Sequence, residues 1–230
     1  MKFFTLVCVV SFFIGPLVNA QVSLGVRGGY INSGLDLHQS ANSSPKLKAS
    51  NVDKWQAGLY LSIPLFKQGY LQPGLSFITK GTELAYVSPL PANVFLPRAT
   101  QINLQYLELP VNFIYKIPVG FGKVFVGAGP YGAYSVRGDY KLGIYNEGKM
   151  LQTDSRQVNF SKAPNVFSTG MNLHRWDAGM NVTAGLELNC FITLGANYSM
   201  GLLDIDKSGS RIRNRYFGVS VGMLFDREDW

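Results

Sequence analysis

The chain has 230 residues, of which 15% are charged, 13% are aromatic and 25 are glycine, and it carries a formal net charge of +7. Soluble domains average about 25% charged residues and about 7% glycine, so this composition argues against disorder, a coiled coil and an ordinary water-facing globule. Beyond the N-terminus no run approaches the ~18 apolar residues of a spanning helix, which excludes a helical membrane protein.

At the start, Lys2 precedes a mostly apolar stretch over 3–18, and Val18-Asn19-Ala20 places small or apolar residues where a signal peptidase reads. This predicts a secretory signal peptide over 1–20, cleaved before Gln21. A retained membrane anchor is the alternative, disfavoured by the short apolar core and by Pro16. Cys8 lies inside that core, too early for a lipidation site. Cleavage leaves Cys190 as the one cysteine, so no intramolecular disulfide forms.

Period-two alternation, the mark of half-buried strands, then recurs to the end of the chain. It predicts eight strands near 22–32, 54–65, 69–81, 102–117, 123–138, 175–189, 190–202 and 216–225. In 175–189, Trp176, Ala178, Met180, Val182, Ala184, Leu186 and Leu188 share one face, and Asp177, Gly179, Asn181, Thr183, Gly185 and Glu187 the other. The connections alternate long (33–52, 82–101, 139–174) with short (66–68, 118–122, a turn at Asn189), with an intermediate 203–213. Short turns on one side and long loops on the other describe an all-β, eight-stranded antiparallel up-and-down transmembrane β-barrel with periplasmic turns and outer loops. Six alternating apolar positions cover about 11 residues; at about 3.3 Å each and a tilt near 40° they span about 27 Å, close to the outer-membrane apolar band of about 25 Å.

A soluble lipocalin-type barrel with its apolar face inward is the competing architecture. The polar face decides between them: it is rich in Gly, Ser, Thr and Asn with isolated charges, which suits a crowded lumen better than a solvated surface. Aromatics agree. Tyr30, Trp55, Tyr134 and Trp176 fall at outer strand ends, and Phe66, Tyr70, Tyr115 and Phe225 at inner ends, as interface girdles.

Tyr106-Leu107-Glu108-Leu109-Pro110 resembles the "YLEIP" strand of the PorT-like outer-membrane β-barrel domain family. Gly127-Ala128-Gly129-Pro130-Tyr131, Asp177-Ala178-Gly179, Gly185-Leu186-Glu187, Gly201-Leu202-Leu203-Asp204-Ile205 and the closing 217–225 strand are similar too. The likeness covers nearly all of the mature chain and implies an eight-stranded outer-membrane barrel. One member type of that family assists a secretion and gliding apparatus. The chain departs from the usual terminal aromatic: alternation ends at Phe225, and the charged 226–230 is expected to be a short periplasmic tail, with the barrel occupying 21–225.

Six charges fall on the expected inner face: Arg27, Glu108, Lys116, Arg137, Asp177 and Glu187. Charges in so narrow a lumen need partners. Strand depth predicts Arg137 with Asp177, Glu108 with Arg27, and Glu187 with Lys116, forming a salt-bridged plug in preference to an ion path, because eight strands leave no continuous channel. Gly127-Ala128-Gly129-Pro130-Tyr131-Gly132 fits G-x-G-x-x-G but opens no helix, so a packing role is expected instead of a dinucleotide site. An enzyme at the rim would rest on His174 with Asp177 and Ser168, without a serine motif to support it. No cofactor or metal is expected, and Cys190 reads as a small apolar filler. The 139–174 loop, with Tyr140, Tyr145, Phe160 and Phe167 among basic and amide residues, suits partner or glycan recognition and equally a loop folded on its own aromatics. The basic loop residues suit anionic outer-leaflet lipid. The expected partners are outer-membrane lipid, the barrel-assembly machinery, and an extracellular or secretion-machinery protein; nucleic acid is not among them.

Overall fold

The structure is a computed structural model that describes residues 22–38, 47–86, 96–146, 149–160, 173–206 and 211–225. It contains β1 (Ser23–His38), β2 (Leu47–Ser50), β3 (Val52–Phe66), β4 (Gly69–Tyr86), β5 (Leu96–Val119), β6 (Gly122–Asn146), β7 (Lys149–Gln157), β8 (Trp176–Leu188), β9 (Ile192–Gly201) and β10 (Arg211–Leu224). Antiparallel pairing runs β1–β3–β4–β5–β6–β8–β9–β10, and β10 returns to β1 from Gly25↔Leu224 to His38↔Arg211. Eight strands thus close into a barrel, which removes every edge that a bilayer could not satisfy. The two short strands lie outside the ring: β2 pairs antiparallel with the end of β4 from Glu83 to Tyr86, and β7 with the end of β6 from Asp139 to Asn146. One end has tight turns, where Phe191 takes a left-handed φ of 67° that a glycine would adopt more readily. The other end carries the long connections.

Apolar side chains face outward, as alternation predicts. Leu59, Leu109, Val182 and Val221 are each at least half exposed, whereas Ser62, Ser76, Asn112, Asn181 and Ser199 are buried inside. Inward glycines let neighbouring strands close up. A Cβ on Gly129 would stand 2.0 Å from the Val111 carbonyl oxygen and 2.7 Å from Asn112 Cα, whereas one on Gly132 would meet nothing within 4 Å. The G-x-G-x-x-G segment is therefore strand packing.

Five strands run further than alternation predicts. β1, β4 and β6 continue to His38, Tyr86 and Asn146, and β5 and β10 begin back at Leu96 and Arg211, so parts of the expected 33–52, 82–101, 139–174 and 203–213 connections are strand. On β5 the outward positions Leu107, Leu109, Val111, Phe113, Tyr115 and Ile117 are apolar, but Gln105, Asn103 and Gln101 beyond them are polar. The inner face changes the opposite way, to Tyr106, Leu104 and Ile102, all fully or nearly fully buried. The strand therefore leaves the bilayer at Leu107 and continues as a water-facing barrel with an apolar interior. Leu107 to Ile117 is ten residue steps, about 33 Å along a strand, or about 25 Å at a 40° tilt. Above the same level, Asn32 donates to Asp53 (2.8 Å) and Asn51 to Asn32 (2.7 Å).

Candidate functional site

Two charge clusters fill the membrane-spanning lumen. In the loop half, Lys80 Nζ lies 2.8 Å from Glu108 Oε2 and 3.3 Å from Asp177 Oδ2, and all three side chains are buried. The rings of Tyr106, Tyr131 and Tyr216 surround the ammonium at 5.1, 4.6 and 5.3 Å. Two carboxylates face one cation, and neutral donors supply the balance: Tyr216 donates to Glu108 (3.1 Å), while Tyr131 (3.3 Å) and Asn214 (2.8 Å) donate to Asp177. In the turn half, Lys116 Nζ lies 2.8 Å from Glu187 Oε2, 3.3 Å from Ser62 Oγ and 4.1 Å from the Tyr70 ring centroid, with Lys123 4.0 Å from the other carboxylate oxygen.

Of the three expected pairs, the structure brings together Lys116 and Glu187. Arg27 does not meet Glu108; it lies over the Tyr60 ring at 5.5 Å, in the turn half. Arg137 does not meet Asp177 and is not in the lumen at all. Gln105 pairs with Arg137 but Tyr106 pairs with Ser135, so Val136 is an extra residue, a β-bulge that turns Arg137 onto the outer face. There its Nε meets Asp139 Oδ2 at 3.1 Å with much of the side chain exposed. The lysine that holds both Glu108 and Asp177, Lys80, is absent from the sequence reading. Its signal is the parity it shares with Tyr70, Ser76 and Ile78; it is obscured because the outward face beside it has already changed from Phe77 to Thr79.

An apolar cap closes the loop end. Val158, Leu173 and Ile205 are buried in one cluster with Ile31, Leu35, Ile102, Leu104 and Tyr140. Backbone bonds from Leu173 to Asn159, His174 to Ile205 and Ile205 to Ile212 tie the cap together. Tyr140, expected on a recognition loop, points inward. His174 is exposed, while Asp177 is engaged below with Lys80, so the two do not form a catalytic pair; Ser168 lies outside the described residues. Among the described residues no group of three His, Cys, Asp or Glu side chains could hold a metal. Cys190 is exposed in the β8–β9 turn instead of filling a core.

The girdles occupy the outer face. Tyr30 pairs with Trp55 and Tyr134 with Trp176 in register; the second pair stacks edge-on at 5.1 Å between centroids. Tyr115 and Phe225 are exposed at the turn end, as is Phe66, whereas Tyr70 points into the lumen. The expected signal peptide over 1–20 and tail over 226–230 lie outside the described residues.

A family described as "Outer membrane protein beta-barrel domain" matches residues 19–207. The chain belongs to this family. It is an outer-membrane β-barrel protein, and the lipid-facing exterior described above is the face its membrane covers. Among solved structures, it is similar to Ail, the attachment invasion locus protein of Yersinia pestis, in complex with the heparin analogue sucrose octasulfate, at 12% identity over 89% of this chain and 99% of that chain, TM-score 0.42. It is similar to Neisserial surface protein A at 8% identity over 89% and 99%, TM-score 0.44. OprG of Pseudomonas aeruginosa is similar at 12% identity over 89% and 96%, TM-score 0.40. No curated protein matches the chain.

Proposed function

We propose that this outer-membrane barrel is a monomeric, non-enzymatic surface protein with a permanently closed lumen, acting through the rim and loops at its loop end. The observation that carries this reading is the double closure: the Lys80–Glu108–Asp177 cluster blocks the loop half of the lumen, and the Val158–Leu173–Ile205 cap lies over it. With the lumen filled, the surfaces left for interaction are the exterior and the loop end. In this reading residues 1–20 direct export and are removed, the barrel-assembly machinery inserts the chain, the turns and both termini face the periplasm, and no nucleic acid or cofactor takes part.

Planar-bilayer conductance tests the closure. The refolded protein is expected to give no steady current, and porin-sized steps would overturn the closed-lumen reading. The resemblance of Tyr106–Pro110 and its companion segments to PorT-like barrels supports that finer placement and, with it, an accessory role in secretion. Cross-linking in cells followed by pull-down separates the two roles: recovery of secretion-machine subunits would replace the surface role with the accessory one.

A further inference from the structure

Along its edge, β6 exchanges one neighbour for another. Pairing with β8 ends at Tyr134↔Trp176, with one further backbone bond from Ser135 to the Arg175 carbonyl. Pairing with β7 begins at Asp139↔Gln157, preceded by a bond from Val158 to the Gly138 carbonyl. Val136 and Arg137 fall between the two ladders, and the bulge at Val136 turns both side chains outward. The result is an open cleft of about 520 Å³ lined by Val136, Arg137, Gln157, Asn159, Phe160 and Arg175.

Both arginines in this cleft are held for use. Arg175 lies with its guanidinium carbon 4.6 Å from the Phe160 ring centroid and 5.7 Å from that of Tyr134, and its Nη1 donates to the Ser135 carbonyl at 3.2 Å. Arg137 is tethered through Nε to Asp139, which leaves its two terminal nitrogens as donors. Two pre-positioned guanidinium forks against one nearby carboxylate favour a planar or tetrahedral oxyanion, and stacking lowers the entropy that binding would cost. The depth of the cleft selects the source of that oxyanion. It opens directly above Tyr134 and Trp176, the stacked pair of the outer girdle, which is the level of lipid headgroups.

We propose that this cleft is a binding site for the phosphoryl headgroup of an outer-leaflet lipid, gripped between Arg137 and Arg175. The proposal needs the outer-membrane placement and is independent of the surface role above. The cleft is also large enough for a sugar carrying the phosphate.

The test uses the refolded full-length mature chain in neutral-detergent micelles, with diphosphoryl lipid A added and binding read by native mass spectrometry. Wild-type protein is expected to retain the lipid saturably, and Arg137→Gln/Arg175→Gln to weaken binding tenfold or more. The charge-matched Lys48→Gln/Arg215→Gln, on basic residues outside the cleft, is expected to bind like wild type. Heat-modifiable migration on gels confirms that each variant is folded, and Arg137→Lys/Arg175→Lys, which keeps charge but not the fork, is expected to fall between. Equal loss in the two charge-removing variants, or none in either, would overturn the site. Displacement of the lipid by millimolar inorganic phosphate would overturn the lipid headgroup as the ligand in favour of the free anion.

Discussion

Lys80 and Glu108 meet at 2.8 Å in a part of the lumen that no solvent reaches, on adjacent strands whose inward neighbours at that level are Ser76, Ile78 and Tyr106. Asp177 joins them from across the barrel at 3.3 Å. Removing the cation would leave two buried carboxylates without a counter-charge. Lys80→Met is therefore expected to destabilise the barrel by about 3–5 kcal/mol. The triple change Lys80→Met, Glu108→Gln, Asp177→Asn should recover most of that, because it removes the charges together. Urea unfolding in lipid vesicles measures both, and equal stability of Lys80→Met and wild type would remove the cluster as a structural element.

The basic groups of the lumen should rank by how much each leaves behind. Lys116→Met strands Glu187, though Lys123 at 4.0 Å partly replaces it. Arg27→Ala loses chiefly a ring contact, of order 1 kcal/mol. The expected order of melting-temperature loss in detergent is Lys80, then Lys116, then Arg27.

Gly129 and Gly132 lie three residues apart on one strand yet should respond oppositely to a methyl group. The added carbon at 129 meets β5 backbone, which cannot move aside, so Gly129→Ala is expected to cost about 1–3 kcal/mol. Gly132→Ala opens onto free space and should be neutral. Parallel urea titrations of the two variants decide the point.

The outward face of β5 sets the depth of insertion. Val111→Lys, near the middle of the Leu107–Ile117 band, is expected to destabilise by about 2–4 kcal/mol. Asn103→Lys, beyond the band and opposite Asp139, should change stability by less than about 0.5 kcal/mol. Folding into vesicles, followed by tryptophan fluorescence, reports both; equal costs would mean the bilayer boundary is not at Leu107.

Eight strands and the outward direction of their apolar faces were legible in the sequence, because alternation over ten or more residues has no other common cause. What escaped it shares one origin: alternation survives while its meaning changes. At Tyr106 and Leu107 two consecutive residues are both apolar, one the last of an inward series and the other the first of an outward one. Beyond that junction the outward residues are polar and the alternation that marks a lipid-facing strand fades, so 82–101 reads as loop although 82–86 and 96–101 continue β4 and β5. The bulge at Val136 shifts parity by one residue with no glycine or proline to announce it, so Arg137 was expected inside. Lys80 stands where both faces are polar and neither parity is distinguished by hydropathy. In each case the deciding information is the partner strand's register, which a single strand's sequence does not contain.

The seam between β1 and β10 joins residues nearly two hundred positions apart, from Gly25 with Leu224 to His38 with Arg211. Until the last strand has been synthesised and delivered, β1 has no mate on that side, and an open edge is intolerable in hydrocarbon. Closure is therefore all-or-nothing: a chain cut short before β10 leaves β1 without its mate on that side, and no other described strand is placed to take over the seam.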